Sequence, residues 1–549
     1  MSKNLSNIIN TITVLETSGA GDPVISGLKY DSRQVASGDL FFALPGLHAD
    51  GARFIPEALE RGARAVIHCA ETLPPAVIEQ SKHCGAVLLR VADPRPAMSP
   101  AAAAFYDYPS RDMVIIGVTG TEGKSTTVSL IWQLLRLSGR RAGFISTVDY
   151  CLADEALPNP EHQTTPEATT VQEKLAAMRD NGLSWAVVES SSHGLSPRTA
   201  RLADVLFDVG VFMNVTQEHL EFHGTLEQYR HDKANLFRAL DSHDHRKDGV
   251  KVPSFGVVNE EDPAAAYFRS ATAQPVYGFS ARADIPLEKG GLQAAAITSD
   301  AEGASFLIFE CGSDTSCPAP VIPPAPDESF REQFCRTGGT CHEARINLPG
   351  AFNVYNTLAA LQVVSRLTGD SIAELTGLLP ALKPVKGRMT PVNQGQPFEV
   401  LVDYAHTPSS FLAVFPSLRR RVTGRIISLF GSGGERDLVK RPEQGRIASG
   451  YSDIVILSDE DPRGEDPETL LRMIAAGCTG KTEGIDLFII PDRPAAIRKA
   501  FSLAAPGDLV LLLGKGHENS IIYRDRTVPY DEIETARTLL AEAGWKDKA

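Results

Sequence analysis

The 549-residue chain lacks a basic excess, a long apolar run and a dense set of cysteines. Lysine and arginine number 54 against 68 aspartates and glutamates, a balance of −14. So acidic a chain is a poor non-specific binder of nucleic acid or anionic membrane. Any anion it binds has to be held by local groups that oppose the global field. No segment approaches the roughly 20 apolar residues of a membrane span. The N-terminal MSKNLSNIINTITVLE has no unbroken apolar stretch before a small-residue cleavage site, so no secretory signal is read there. The eight cysteines (Cys69, Cys84, Cys151, Cys311, Cys317, Cys335, Cys341, Cys478) are few for this length. Reduced thiols in the cytoplasm are therefore expected. Hydrophobic residues at 43% and charged residues at 22% are ordinary globular values, which excludes disorder, collagen and coiled coil as whole-chain descriptions. At roughly 150 residues per domain the length predicts three to four domains.

VISGLKYDSR and GDLFFALPG read as short strands, and GARFIPEALERGARAVI as a helix followed by a strand. The proline-containing ADPRPAMSPAAAAFYDYPSRD is a candidate hinge at about 90–112. MVIIGV (113–118) is apolar without alternation, as a buried parallel strand should be. A glycine turn follows, and then STTVSLIWQLLRLSG, apolar at helical spacing and ending at Gly139. The segment 290–345 contains PAPVIPPAP and RTGGT, has weak periodicity, and reads as a loop-like insertion. From about 386, five apolar strands end in polar clusters: VLVDYAH, IISLFGSGGERD, IVILSDEDPR, LFIIPDR and LVLLLGKGHE. Ligands of open α/β sheets bind at the carboxyl ends of strands. One such cluster is ordinary loop composition, but five mark a ligand-binding edge.

The turn after MVIIGV runs Thr119, Gly120, Thr121, Glu122, Gly123, Lys124, Ser125, Thr126. Backbone N–H groups of such a turn, with the following helix N-terminus, cradle phosphates. Lys124 is placed to reach the β/γ-phosphates and Ser125 to ligate Mg²⁺. The competing reading is a glycine turn with a surface lysine, which the strand–turn–helix context disfavours. Glu122 is the odd member, because a carboxylate beside phosphates is repulsive. It either points away or approaches a metal.

The turn resembles the TGTNGK[TS]T loop of the Mur ligase family, and further motifs follow in order. ESSSHGL (189–195), FMNVTQEHLEFHG (212–224), YRHDKANLF (229–237), LPGAFNVYN (348–356), KGRM (386–389), VDYAHTP (402–408), GSGGERDLVKRP (431–442), DEDPRGED (459–466) and GKGHE (514–518) each have a counterpart there, in the tripeptide-synthetase branch. YDSR (30–33), GDLFFAL and GLHADG (46–51) resemble its uridine-binding domain. Only 290–345 falls outside. The resemblance implies an ATP-dependent ligase of peptidoglycan precursor synthesis. It phosphorylates the D-Glu carboxylate of UDP-MurNAc-L-Ala-D-Glu and joins a diamino acid to the acyl phosphate. It also implies three α/β domains. These are a uridine-nucleotide domain (1–108), a central P-loop domain with a mostly parallel sheet (109–385), and a C-terminal Rossmann-like amino-acid domain (386–549).

By resemblance, Gly120 to Thr126 hold ATP phosphates. Glu189 and His219, with a carbamylated Lys233, ligate Mg²⁺ alongside Ser125. A protonated lysine repels Mg²⁺, whereas its carbamate offers hard anionic oxygens. Taken alone, Lys233 would be a solvated helix residue. Asn353, Arg388, Asp403 and His406 match adenine and ribose positions, although a helix cap and a loop carboxylate are the plain readings of Asn353 and Asp403. Ser32, Leu47, His48 and Ala49 match the uridine site, with Leu47-His48 departing from the usual His-Gln. Thr164, Thr165 and Ser191 match the muramoyl-dipeptide site. The family's Gln-x-Arg after SSHGL is missing, so Arg198 or Arg201 takes that role. Arg436, Asp459, Glu460, Asp461, Pro462, Arg463, Gly514 and Glu518 match the amino-acid pocket. Diaminopimelate ligases carry Asp-Asn-Pro-Arg where this chain has Glu460-Asp461-Pro462-Arg463. Arg463 suits a distal carboxylate, while Asp461 and Glu460 suit the bare ammonium of lysine or ornithine. Both cues stand.

Cys311, Cys317, Cys335 and Cys341, beside His342, are spaced more widely than zinc knuckles, so free thiols are expected. His162 and His223 read as polar-loop residues. Two rival functions are a P-loop kinase that leaves a stable phosphorylated product and a non-catalytic Mur-like scaffold. The expected partners are small molecules, with neither nucleic acid nor membrane, and the expected state is a cytoplasmic monomer. Domain closure is expected about a linker near 380–388.

Overall fold

The computed structural model describes residues 1–546 apart from 47–49, 162, 283, 286–288, 301, 312–321, 337 and 436. Three separate α/β sheets follow one another along the chain. The first has the strand order Glu16–Ser18, Val87–Arg90, Ala65–His68, Asp39–Phe42, Gly27–Lys29, parallel except at the first pair. The second, central sheet has eleven strands. Its middle runs Ala142–Ile145, Trp185–Glu189, Val114–Thr119, Val209–Phe212, Phe255–Asn259, Val276–Ser280, all parallel. The third has Leu509–Leu513 inserted between Glu399–Asp403 and Ile426–Phe430, followed by Ile454–Leu457 and Leu487–Ile489, again parallel. Among the described residues no helix is long and apolar enough to cross a membrane.

Unalternating strands follow from helices on both faces. Val114, Ile116 and Val118 enter one core, and Met113 and Ile115 enter the core on the opposite face. Val400 and Val402 likewise face one core of the third sheet, and Leu401 the other. Cutting the fully buried Ile116 to alanine would cost about 2–5 kcal/mol in lost transfer energy and cavity.

Two sequence expectations are corrected here. The segment 290–345 is not loop-like. Leu292–Ser299, Ala304–Glu310 and Thr340–Ile346 extend the central sheet as an antiparallel edge, and helix Glu328–Arg336 packs Phe330 and Phe334 against Phe309. A run of three alanines weakens the strand signal of the first member, and a bulge with Ala296 at φ +51° breaks its alternation. Of the cysteines, Cys335 and Cys341 are free thiols, and Cys317 lies outside the described residues. The second correction concerns 90–112. Pro94–Phe105 is a helix, started by the Asp93 carboxylate accepting from Arg95 N and buried along Ala97, Met98 and Ala101 to Ala104. It packs on helix Ala168–Asp180 of the central sheet and is no slack hinge.

Candidate active site

Three parallel strands deliver the phosphate-type turn and its neighbours to one edge of the central sheet. Val114–Thr119 leads into the turn. Glu189 ends the next strand, paired with Val118. Asn214 follows Phe212 on the other side and clamps the turn. Its Oδ1 accepts from Thr121 N (3.0 Å) and Glu122 N (2.8 Å), and its Nδ2 donates to Glu122 O (3.2 Å). Gly123 sits at φ +83°, and a Cβ there would lie 2.6 Å from Asn356 Oδ1. Lys124 folds back to donate to Thr121 O at 2.6 Å.

Ser125 Oγ donates to Glu189 Oε1 at 3.0 Å, while Glu189 Oε2 accepts from Thr147 N at 2.8 Å. Arg388 reaches over from the linker to the third sheet and lies 3.4 Å from the same Ser125 hydroxyl. Its Nε is buried without a partner among the described residues. The glycine turn, Ser125 and Arg388 wall a cavity of about 320 Å³ that also touches Glu261, Tyr355, Asn356 and Asp403. Nucleotide-sized ligands need cavities of this order.

Asp403 lines that cavity, with both oxygens accepting backbone N–H groups of Ala405 and Met389 at 2.8 Å. Asn353 does not reach the wall. Its amide donates to Pro349 O, its oxygen accepts from Asn356, and Asn356 is the residue that faces the cavity. His406 bonds Tyr404 O, and burial, then the charge of Lys440, pushes it down to about 4.

Lys233 is buried and donates to Gly120 O at 2.7 Å. Burial, reinforced by the charge of Lys124, holds its pKa well below the ordinary range. That direction favours the neutral amine, the form that adds CO₂. His219 occupies a left-handed conformation at φ +56°, its ring near Glu218 and Glu221. Non-glycine residues hold that conformation only where the surroundings impose it. Burial, with the charge of Glu218, raises Glu122. Glu218 is held low against burial by His219, His406, Lys124 and Lys233. The donor set fits a divalent ion: a hydroxyl and a carboxylate already in contact, and beside the turn a buried lysine that has no ion pair among the described residues.

His223 is not a polar-loop residue. It is buried, with Nδ1 2.8 Å from Asp232 and Nε2 3.0 Å from Ser192 Oγ, and so ties the His219 turn to the helix of Lys233. Thr165 donates to Glu189 O and accepts from Ser191 N. Thr164 is half-buried nearby. Arg201 is spent on Glu167 (2.8 Å) and Thr165 O (2.9 Å), whereas Arg198 lies over Phe222. Ser32 donates to Glu57 at 2.7 Å. Leu47, His48, Ala49, His162 and Arg436 lie outside the described residues.

At the carboxyl edge of the third sheet, Gly434 N donates to Asp461 O, and a Cβ at Gly434 would lie 1.9 Å from Pro462 O. Asp459 is pushed up to about 6 and Glu460 to about 7, both mainly by burial. Glu460 Oε2 and Arg463 Nε are buried without partners among the described residues.

Family models match in chain order: "Mur ligase family, catalytic domain" over 24–106, "Mur ligase middle domain" over 118–364, and "Mur ligase, glutamate ligase domain" over 387–516. A relative from Treponema denticola, a UDP-N-acetylmuramyl-tripeptide synthetase, is 53% identical over 559 residues, covering 98% of each chain. The chain belongs to the Mur ligase family. A Geobacillus kaustophilus Mur ligase, named UDP-N-acetylmuramoyl-L-alanyl-D-glutamate–2,6-diaminopimelate ligase, is 36% identical and covers 95% of this chain and 96% of its own. A solved Mur ligase structure of that same name is 26% identical with a TM-score of 0.59, covering 99% of this chain and 100% of its own.

Several Mur ligase residues escaped the sequence reading. Asn214 stood inside a recognised motif without a role. Lys515 is buried between Asp461 Oδ1 (2.9 Å) and Glu518 Oε2 (2.6 Å). Arg493, buried with Glu532, donates to Asp459 O and Leu513 O and so fixes two strand ends of the third sheet. Its only sequence signal was the fourth strand-end cluster.

Proposed function

We propose that the chain is a tripeptide synthetase, joining a diamino acid to the D-Glu of UDP-MurNAc-L-Ala-D-Glu at the expense of ATP. One observation carries this reading. The glycine turn, the end of the Glu189 strand and Arg388 of the following linker converge on the Ser125 hydroxyl. A phosphate-holding turn shared with a second α/β unit can hold a nucleotide and two further reactants in one place, which favours a joining reaction.

The turn and Lys124 hold the ATP phosphates. Ser191 and Thr165 orient the D-Glu carboxylate, with Arg198, the arginine not spent on a carboxylate, as its charge partner. The carboxylate attacks the γ-phosphorus and ADP leaves. The amine then attacks the acyl carbon and phosphate leaves. Positioning and charge neutralisation supply most of the catalysis. Ser125, Glu189, His219 and carbamylated Lys233 would hold Mg²⁺, which neutralises charge on the transferring phosphoryl group. Glu460, Arg463 and Glu518 receive the amino acid, either diaminopimelate or lysine or ornithine. The enzyme is read as a cytoplasmic monomer with domains 1–108, 109–385 and 386–549, acting on small molecules.

Phosphate release tests the reading, with UDP-MurNAc-L-Ala-D-Glu present and diaminopimelate, lysine and ornithine offered separately. Release that needs both nucleotide-dipeptide and one of these amines is expected. A stable phosphorylated product formed without amine would instead establish a kinase.

A further inference from the structure

Phosphate binding gives no reason for Glu122 in the glycine turn. Its backbone is fixed on both sides by the Asn214 amide, so the side chain has a defined exit. That exit crosses from the central sheet to the third one. Glu122 Oε1 lies within hydrogen-bond reach of Thr407 Oγ1 at 3.3 Å, a hydroxyl that Ser409 Oγ (2.9 Å) and Ser410 Oγ (3.0 Å) also approach. Thr407 is the N-cap of helix Pro408–Arg421, its oxygen accepting from Ser410 N at 3.1 Å. Helix N-termini carry partial positive charge, which favours a carboxylate. The same helix supplies Ser410, Ala413 and Val414 to the cavity wall. Glu122 thus ties the phosphate-holding turn to the element that forms the opposite wall.

We propose that Glu122 is a positioning residue that sets the closed spacing between the P-loop and the C-terminal domain, acting through Thr407. The inference rests on the ligase reading above. It explains why a carboxylate is tolerated: it is directed at a helix N-terminus. It also makes a specific failure expected. Without the Glu122–Thr407 hydrogen bond, the acyl phosphate is exposed to water. Water adds to the acyl carbon, the bond to the phosphate oxygen breaks, and free carboxylate and phosphate result. ATP is then consumed without amide formation.

The test compares full-length wild type with Glu122→Ala and Glu122→Gln, reading phosphate released per amide formed, kcat for amide, and the Kd of Mg·ADP. Glu122→Ala should lower amide kcat roughly tenfold, the scale of one hydrogen bond to a charged group. It should raise the phosphate-to-amide ratio and weaken Mg·ADP by no more than the loss of nucleotide-driven closure requires. Glu122→Gln keeps an acceptor oxygen and should restore the wild-type ratio. A large change in Mg·ADP affinity with unchanged coupling would make Glu122 a nucleotide contact and overturn the proposal. So would a Glu122→Ala enzyme with wild-type kcat and coupling. X-ray scattering with Mg·ADP reads the same hydrogen bond without turnover. Compaction should be lost in Glu122→Ala and kept in Glu122→Gln, and compaction unchanged in Glu122→Ala would overturn the proposal. A wild type that forms no amide would sink the ligase reading alone, and scattering would still decide the role of Glu122.

Discussion

The ammonium of Lys515 lies 2.9 Å from Asp461 Oδ1, and Asp461 also accepts Ile522 N. The acid that stands where diaminopimelate ligases have asparagine is therefore already paired within the chain. In the proposed site this leaves Arg463 and Glu460, each with a buried polar atom that has no partner among the described residues, to meet the distal end of the diamino acid. If that end bears a carboxylate, Arg463→Ala should lower kcat/KM by roughly 10–100-fold, since hydrogen bonds between charged groups contribute about 1.5–3 kcal/mol. A substrate with only a distal ammonium should lose far less. Parallel steady-state assays with diaminopimelate, lysine and ornithine check this. Equal losses for all three would refute the assignment. Lys515→Met strands two carboxylates and should destabilise the fold by roughly 3–5 kcal/mol in urea titration.

Lys233 should carry a carbamate. ¹³C NMR in the presence of ¹³C-bicarbonate should show a carbamate signal that Lys233→Gln lacks. The variant should also lose roughly 10²–10³-fold in kcat, the scale for removing one preorganised electrostatic group. A fully active Lys233→Gln enzyme would end this assignment.

Glu189 meets Ser125 at 3.0 Å. Glu189→Gln keeps the hydrogen-bonding shape and removes the charge. The Mg²⁺ concentration for half-maximal activity should rise, by roughly 10–100-fold if the residue supports metal binding as ligands and their partners do. A magnesium titration at saturating ATP reads it, and an unmoved midpoint counts against the site.

A stability prediction concerns the far edge of the central sheet. Asp208 accepts from His245 Nδ1 at 2.9 Å and lies 2.9 Å from Lys247 Nζ, while His245 Nε2 bonds Leu240 O. Among the described residues, Asp208, His243 and His245 form the group compact enough for a metal. Both His245 nitrogens face acceptors, which favours the protonated ring over one that offers a lone pair to a metal. Burial opposes that charge, but the bonds to Asp208 and Leu240 outweigh it and raise its pKa above 6.5. Its contribution is full below about pH 6.5 and is lost as pH rises through the folded value. Asp208 runs the other way: against burial, the two histidines and Lys247 lower it from 3.8 to about 2, so its contribution is lost as pH falls below 3.8. Asp208→Ala should cost roughly 3–5 kcal/mol by leaving buried cations unpaired. Chemical denaturation across pH, with ligase activity unchanged at low temperature, checks this.

The parallel strands were legible because a strand buried on both faces has to be apolar throughout. The glycine turn was legible because a close phosphate approach forbids side chains. That Asn356 faces the cavity while Asn353 bonds Pro349 O could not be read from the motif, because position in it does not say which of two neighbouring amides reaches the wall. The antiparallel edge at 292–346 was missed because alanines carry little strand signal. Lys515, Arg493 and Asn214 act through partners far away in sequence, and no local pattern encodes such pairs.

Helix Pro94–Phe105 has a mechanical consequence. It joins the first two α/β units, and Arg95 ties it to Glu167 while Lys247 grips Ser110 O just beyond its end. That junction is a splice, not a joint. After Leu382 the contact is of another kind: Gly387 lies so close to Gly516 that a Cβ would come within 2.3 Å of it. A methyl group at residue 387 would run into the backbone of Gly516 and His517, so the linker and the loop after the Leu509–Leu513 strand meet through bare backbone alone.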